Sequence, residues 1–157
     1  MDFNAINIVE KPWGREVHFA VEEHYLGKIL EVRRGHRLSL QYHKRKKETM
    51  YVLEGVVRLT LGHDIEVVRA GASVTIEPGM RHRVEAIEDS RIIEVSTKHL
   101  EDVVRLEDDH GRHVDSGRHP MHRRVRAHIK NTFARFIGGL GPRQIAPKAK
   151  GPQPIIR

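Results

Sequence analysis

The sequence predicts an all-β fold, a barrel or sandwich of antiparallel strands, on three observations. From about residue 27 to 96 the chain is a succession of short apolar or alternating runs dominated by Val, Ile, Leu and Thr. Turn residues punctuate these runs at Gly35, Gly55, Gly62-His63-Asp64, Gly71 and Pro78-Gly79. No helical pattern intervenes between them, as it would in a chain of alternating strands and helices. A length of 157 residues suits one domain with a real hydrophobic core.

The runs follow in order. KILEVRR comes first, then RLSLQYH after Gly35 and TMYVLEG up to Gly55. VVRLTLG, IEVVRA and SVTIEP follow, separated by Gly62-His63-Asp64 and Gly71, and HRVEAI and RIIEVST close the series. TKHLEDVVRLEDDHGR (97–112) is polar with a small apolar group at Leu100, Val103, Val104 and Leu106, which predicts a short turn of helix and then a loop. Val125, Ile129, Phe133, Phe136 and Ile137 share one face of a 3.6-residue period, predicting a helix over about 120–137, with Pro120 in its first turn and Gly138-Gly139 at its end. The last stretch, GPRQIAPKAKGPQPIIR, reads as an extended arm or disordered tail.

Charge divides the chain. The formal net charge is +7, yet residues 113–157 hold ten Lys and Arg against one acid, a net +9, whereas 1–112 hold eighteen against twenty, a net −2. The sequence therefore divides into a domain over 1–112 and a basic extension over 113–157. The apolar stripe of the extension is expected to pack on the barrel or a neighbouring subunit; contact with anionic lipid or nucleic acid is the second choice. No apolar run approaches the roughly 20 residues of a membrane span, and the start lacks a cationic, then apolar, signal pattern. With no cysteine, disulfides and thiolate sites are unavailable, and a cytoplasmic protein is expected.

The stretch GHRLSLQYHKRKKETMYVLEG carries the chemistry. Residues i and i+2 of a strand share a face, so Gln41 and His43 can both aim inward. Glu48 opens the next strand across a short turn, and His82, three residues after Gly79, offers a ligand from another strand. Imidazole, carboxylate and amide oxygen together suit one divalent transition metal: Zn, Co, Ni, Mn or Fe. Taken singly, each has a plainer reading, as a surface histidine, a solvated turn carboxylate or an edge amide.

That spacing resembles the cupin superfamily. Its first motif runs Gly, five residues, His-x-His, three or four residues, Glu, six residues, Gly, and Gly35, Gln41, His43, Glu48 and Gly55 fill it in register. Gly71, Gly79 and His82 fit the second motif, with Glu77 at its proline position and Ala86 at its asparagine position. The resemblance implies a jelly-roll barrel. KPWGREV, GHRLSLQYH and IIEVSTKHLEDVVRLEDDHGR further resemble the C-terminal domain of type II mannose-6-phosphate isomerases, often fused to a mannose-1-phosphate guanylyltransferase, over about residues 11–112. That subgroup uses glutamine at the first ligand position. This chain departs from it at Lys44-Arg45, where the relatives carry a histidine-rich run, and at Thr49-Met50, where they carry His-Trp. No Gly-rich nucleotide-binding sequence precedes the barrel, and guanylyltransferase activity is not inferred.

The resemblance implies metal-dependent interconversion of aldose and ketose phosphates. Gln41, His43, Glu48 and His82 would hold the metal, and Arg105 and Arg112 would hold the substrate or its phosphate. For the two arginines the plain alternative is surface ion pairing with Glu101, Asp102, Glu107 or Asp108. Lys28, Glu77 and His110 are candidate acid or base groups. Lys44, Arg45, Lys46 and Lys47 form either a solvated turn or a cationic rim that draws in an anionic sugar. Trp13 is expected to pack over a barrel end. Pairing of barrels through their sheets implies a homodimer. Two other functions stay open: a non-catalytic sugar- or metal-binding cupin in polysaccharide synthesis, and an Fe-dependent cupin oxygenase.

Overall fold

The computed structural model describes residues 5–115, so the expected helix over 120–137 and the arm after it lie outside the described residues. Two antiparallel sheets face each other. One holds β1 (Asn7–Lys11), β2 (Gly14–Val21), β3 (Tyr25–Val32), β10 (Ser90–Thr97), β5 (Glu48–Glu54) and β8 (Ser73–Ile76), in that order. The other holds β11 (Val103–Glu107), β4 (Leu40–His43), β9 (His82–Ala86), β6 (Val56–Leu61) and β7 (Asp64–Arg69). This is the all-β barrel predicted from the sequence, and each of the eight foreseen runs forms a strand.

Alternation builds the core. Leu30 and Val32 of β3, Met50 and Val52 of β5, Val57, Leu59 and Leu61 of β6, Val84 and Ala86 of β9 and Ile92 of β10 are buried between the sheets. Trp13 joins this cluster at 2% exposure, and its carbonyl accepts the Arg33 amide at 3.0 Å, tying the β1–β2 turn to the end of β3. Apolar side chains thus fill one end of the barrel and leave the other to polar groups.

Two regions depart from expectation. Residues 7–21 form a hairpin that the apolar pattern did not announce, because β2 turns Glu16 and His18 inward and leaves Phe19 on the outside. The segment 97–112 contains a strand where a turn of helix was expected. Val103, Val104 and Arg105 pair with His43, Tyr42 and Gln41, so β11 covers the outer edge of β4. The spacing of Leu100, Val103, Val104 and Leu106 suits a helical turn, but an uncovered sheet edge beside β-branched residues favours strand pairing.

Candidate metal centre

Three elements converge at the polar end. Gln41 and His43 alternate on β4, Glu48 opens β5 after the 44–47 turn, and His82 opens β9. Gly79, at φ +80°, makes the turn before β9, and its amide donates to the His43 carbonyl at 2.6 Å. The turn that delivers the last ligand is therefore bonded to the strand that carries the first two.

The ligand atoms of His43, Glu48 and His82 lie within 4.8 Å of one another, and the residues are 5%, 1% and 2% exposed. Glu48 Oε1 stands 3.1 Å from His82 Nε2, and Glu48 Oε2 stands 3.6 Å from His43 Nε2. Both His43 nitrogens and Glu48 Oε1 are buried without a hydrogen-bond partner, and His82 Nε2 approaches Glu48 Oε1 to 3.1 Å. Orphaned buried polar atoms are costly, and an ion held between His43 Nε2, Glu48 Oε1 and His82 Nε2 would satisfy them. The donor set of two imidazoles and a carboxylate fits a divalent transition metal.

Protonation fits as well. The Met80 carbonyl lies 2.9 Å from His82 Nδ1, so Nδ1–H donates there and Nε2 offers its lone pair to the centre. Burial pushes His43 down to about 4 against the opposing pull of Glu48, leaving a neutral imidazole. Burial resists ionisation of Glu48, but the Lys46 ammonium bonded to Oε2 outweighs it and holds the carboxyl well below the usual range. Gln41 stands beside these three residues. Its Nε2 is 3.4 Å from His82 Nε2 and its Oε1 accepts the Ser39 hydroxyl at 2.8 Å. A half-turn of the amide points the oxygen inward, and the Ser39 hydroxyl, which both donates and accepts, satisfies either orientation.

The other candidates separate. Arg105 faces Gln41 across β11–β4, and Gln41 faces His82 across β4–β9, so the three side chains leave the same face of the sheet. The Arg105 Nε is buried without a partner. Arg112 is engaged by Asp108, its Nε donating to Oδ1 at 2.9 Å and its Nη2 to the same oxygen. Although burial opposes it, this guanidinium brings Asp108 down to about 2. Glu77 is half exposed and paired with Lys47 at 2.7 Å, and His110 Nε2 bonds the Arg37 carbonyl at 3.3 Å. Lys28 is buried inside the barrel, 3.6 Å from Glu16 and 3.7 Å from Glu94.

The 44–47 turn is neither a solvated turn nor a cationic rim throughout. Lys44 and Arg45 are exposed, but Lys46 points inward at 4% exposure and donates to Glu48 Oε2 and Glu94 Oε1, each at 2.5 Å. Burial alone would lower the Lys46 pKa; Glu94 and Glu48 reverse that and raise it. Sequence reasoning named Lys46 only as one of the basic run, without its inward orientation, and missed Glu94, Glu16 and His18. One signal was available for Glu94: period-two alternation in RIIEVST puts Ile92, Glu94 and Ser96 on one face.

Comparison with known proteins agrees with this architecture. The family model "Mannose-6-phosphate isomerase C-terminal" matches residues 2–108. The chain is 34% identical over 109 residues to the mannose-1-phosphate guanylyltransferase ManC of Salmonella typhimurium, covering 66% of this chain and 23% of that protein. It is 31% identical over 109 residues to the xanthan biosynthesis protein XanB of Xanthomonas campestris, with the same two coverages. The chain thus spans about a quarter of the length of these relatives. Among solved structures, an RmlC-like cupin from Shewanella frigidimarina superposes with a TM-score of 0.58 at 18% identity, over 65% of this chain and 95% of that one. KdgF from Halomonas superposes with a TM-score of 0.56 at 18% identity, over 61% and 89%. The barrel is a cupin barrel, and the chain belongs to the family of mannose-6-phosphate isomerase C-terminal domains.

Proposed function

We propose that the domain is a metal-dependent isomerase that interconverts aldose and ketose phosphates of the mannose 6-phosphate type. The observation that carries this reading is the set of orphaned atoms of His43 and Glu48 beside His82, with the unpartnered Arg105 Nε on the same inner face as Gln41 and His82. The relatives are named for mannose 1-phosphate chemistry and for xanthan biosynthesis, which supports a mannose phosphate as substrate and a place in polysaccharide synthesis.

In this reading Gln41, His43, Glu48 and His82 hold one divalent ion. When bound, the ion supplies Lewis-acid polarisation of the sugar carbonyl and neighbouring hydroxyl. The Arg105 guanidinium takes the phosphate, for which its planar fork is suited. Lys28 and Lys46 are already matched by Glu16, Glu94 and Glu48, so neither competes with Arg105 for the phosphate. The apolar floor of Leu30, Val52 and Ile92 keeps bulk water from the carbon whose proton moves. Glu94, flanked by both lysines, is the inward carboxylate that we assign to that proton. Arg112, held by Asp108, contributes to the shape of the mouth and not directly to the sugar. We also propose a homodimer, paired through the outer face of the six-stranded sheet, where Ile8, Phe19, Val21 and Val95 are exposed.

The test is exchange of the C2 proton of mannose 6-phosphate with solvent deuterium, and its conversion to the ketose, in metal-loaded and metal-stripped protein. Both should proceed only with metal. One observation favours a non-catalytic sugar-binding domain: Glu94 and Glu16 are each engaged by a lysine, which leaves the base encumbered. Tight binding of mannose 6-phosphate with no exchange supports that second reading. Uptake of O₂ with a diketone or phenolic substrate instead supports an oxygenase.

A further inference from the structure

The two oxygens of Glu48 stand in different surroundings. Oε1 has no hydrogen-bond partner and lies 3.1 Å from His82 Nε2, whereas Oε2 accepts the Lys46 ammonium at 2.5 Å. Lys46 is itself held. Its Nζ also donates to Glu94 Oε1 at 2.5 Å, and that oxygen receives the Ser96 hydroxyl at 3.4 Å and faces Lys28 Nζ at 3.7 Å. The backbone holds it from the other side, because the amides of Arg45 and Lys46 both donate to Asp102 Oδ2, at 2.6 and 2.8 Å. At 4% exposure, between two carboxylates, the ammonium cannot leave without stranding buried charge.

We propose that Lys46 is a positioning residue that makes Glu48 a one-oxygen metal ligand, keeping Oε2 off the ion and thereby leaving a coordination position for a substrate oxygen. Carboxylates bind metals through one oxygen or two, and a carboxylate free to rotate can add its second oxygen to an open site. Lys46 prevents that. It also sets a positive charge close to the ion, which weakens metal binding in exchange for an open position. The inference rests on the metal reading given above, but not on which reaction the centre performs.

The two ideas are separable with Co²⁺ as the probe, titrated into metal-stripped full-length protein and followed by its visible d–d spectrum. Failure of the wild-type chain to bind Co²⁺ removes the metal reading, and this inference with it. If the wild type binds, Lys46→Met should bind Co²⁺ more tightly, by on the order of tenfold. Its bands should also weaken as Oε2 joins the ion and the coordination number rises. Lys46→Arg should restore the wild-type spectrum. A purely structural ion pair predicts the reverse, weaker binding with an unaltered spectrum, and that result in a folded variant overturns the proposal while leaving the metal reading intact. Should Lys46→Met alone fail to fold, the charge-balanced pair Lys46→Met with Glu94→Met carries the same two readouts and the same criteria.

Discussion

At the residue scale the candidate centre makes three measurable claims. Replacing His43 and His82 together by Ala should abolish the roughly one metal per chain that the site predicts, read by elemental analysis of the purified protein. Arg105→Ala should retain the metal and raise KM for mannose 6-phosphate roughly ten- to hundredfold, the loss expected when one charge-assisted phosphate contact is removed. The third claim concerns pH in the metal-stripped protein. His43 sits at about 4 in the fold against an ordinary 6.5, so between those values the unfolded chain binds the extra proton. There is no penalty above pH 6.5; stability then falls as pH drops, by roughly 3 kcal/mol by pH 4, and Glu48 adds its own loss further into acid. Urea midpoints at pH 7 and pH 4.5 measure this, and His43→Phe should flatten the dependence on the acid side. The meeting of His43, Glu48 and His82, with Gln41 beside them, was legible in the sequence because strand alternation, the 44–47 turn and the Gly79 turn bring them together. Lys46 was not, since a run of four basic residues in a turn gives no period from which to tell the inward one. Its partner Glu94 lies 48 residues further on.

At the element scale the strands with an apolar inner face were legible and the hairpin over 7–21 was not. Apolar-in, polar-out alternation is the signal for a half-buried strand, and β2 inverts it, facing Glu16 and His18 to the interior and Phe19 to solvent. Its hairpin is nevertheless closely fitted to β3. Gly14, at φ +148°, lies so near the Glu31 carbonyl that an added Cβ would stand 1.9 Å from its oxygen. Gly14→Ala should therefore destabilise the fold by about 2 kcal/mol or more, lowering the urea midpoint. If the midpoint does not move, the hairpin does not pack on β3 as described. The strand β11 was misread for the opposite reason. Its pairing partner, the exposed side of β4, is a feature of the assembled sheet, and four apolar residues among charges carry no record of it.

At the scale of the whole molecule, every strand of residues 5–115 finds its neighbours within those residues. A chain ending at Asp115 should therefore fold and keep its metal stoichiometry, while any salt-sensitive retention on anionic vesicles or DNA should vanish with the basic extension. Loss of metal on truncation counts against a self-sufficient barrel. Val95→Arg should halve the mass measured by light scattering if barrels pair through the outer sheet face, and an unchanged mass removes that pairing. The charge division of the chain was plain from the sequence, since counting needs no geometry; what the extension touches depends on surfaces that counting does not reveal. One feature of the interior bears on how this sequence can change. Glu16, Lys28, Glu94, Lys46 and Glu48 alternate in sign from β2 to the centre, each beside the next. Loss of any one rung leaves each neighbour with one partner fewer, so these positions are epistatic and their single-substitution effects will not add. Descendants of this chain can leave that arrangement only by paired replacements of opposite charge, which makes the inside of the barrel slower to diverge than its surface.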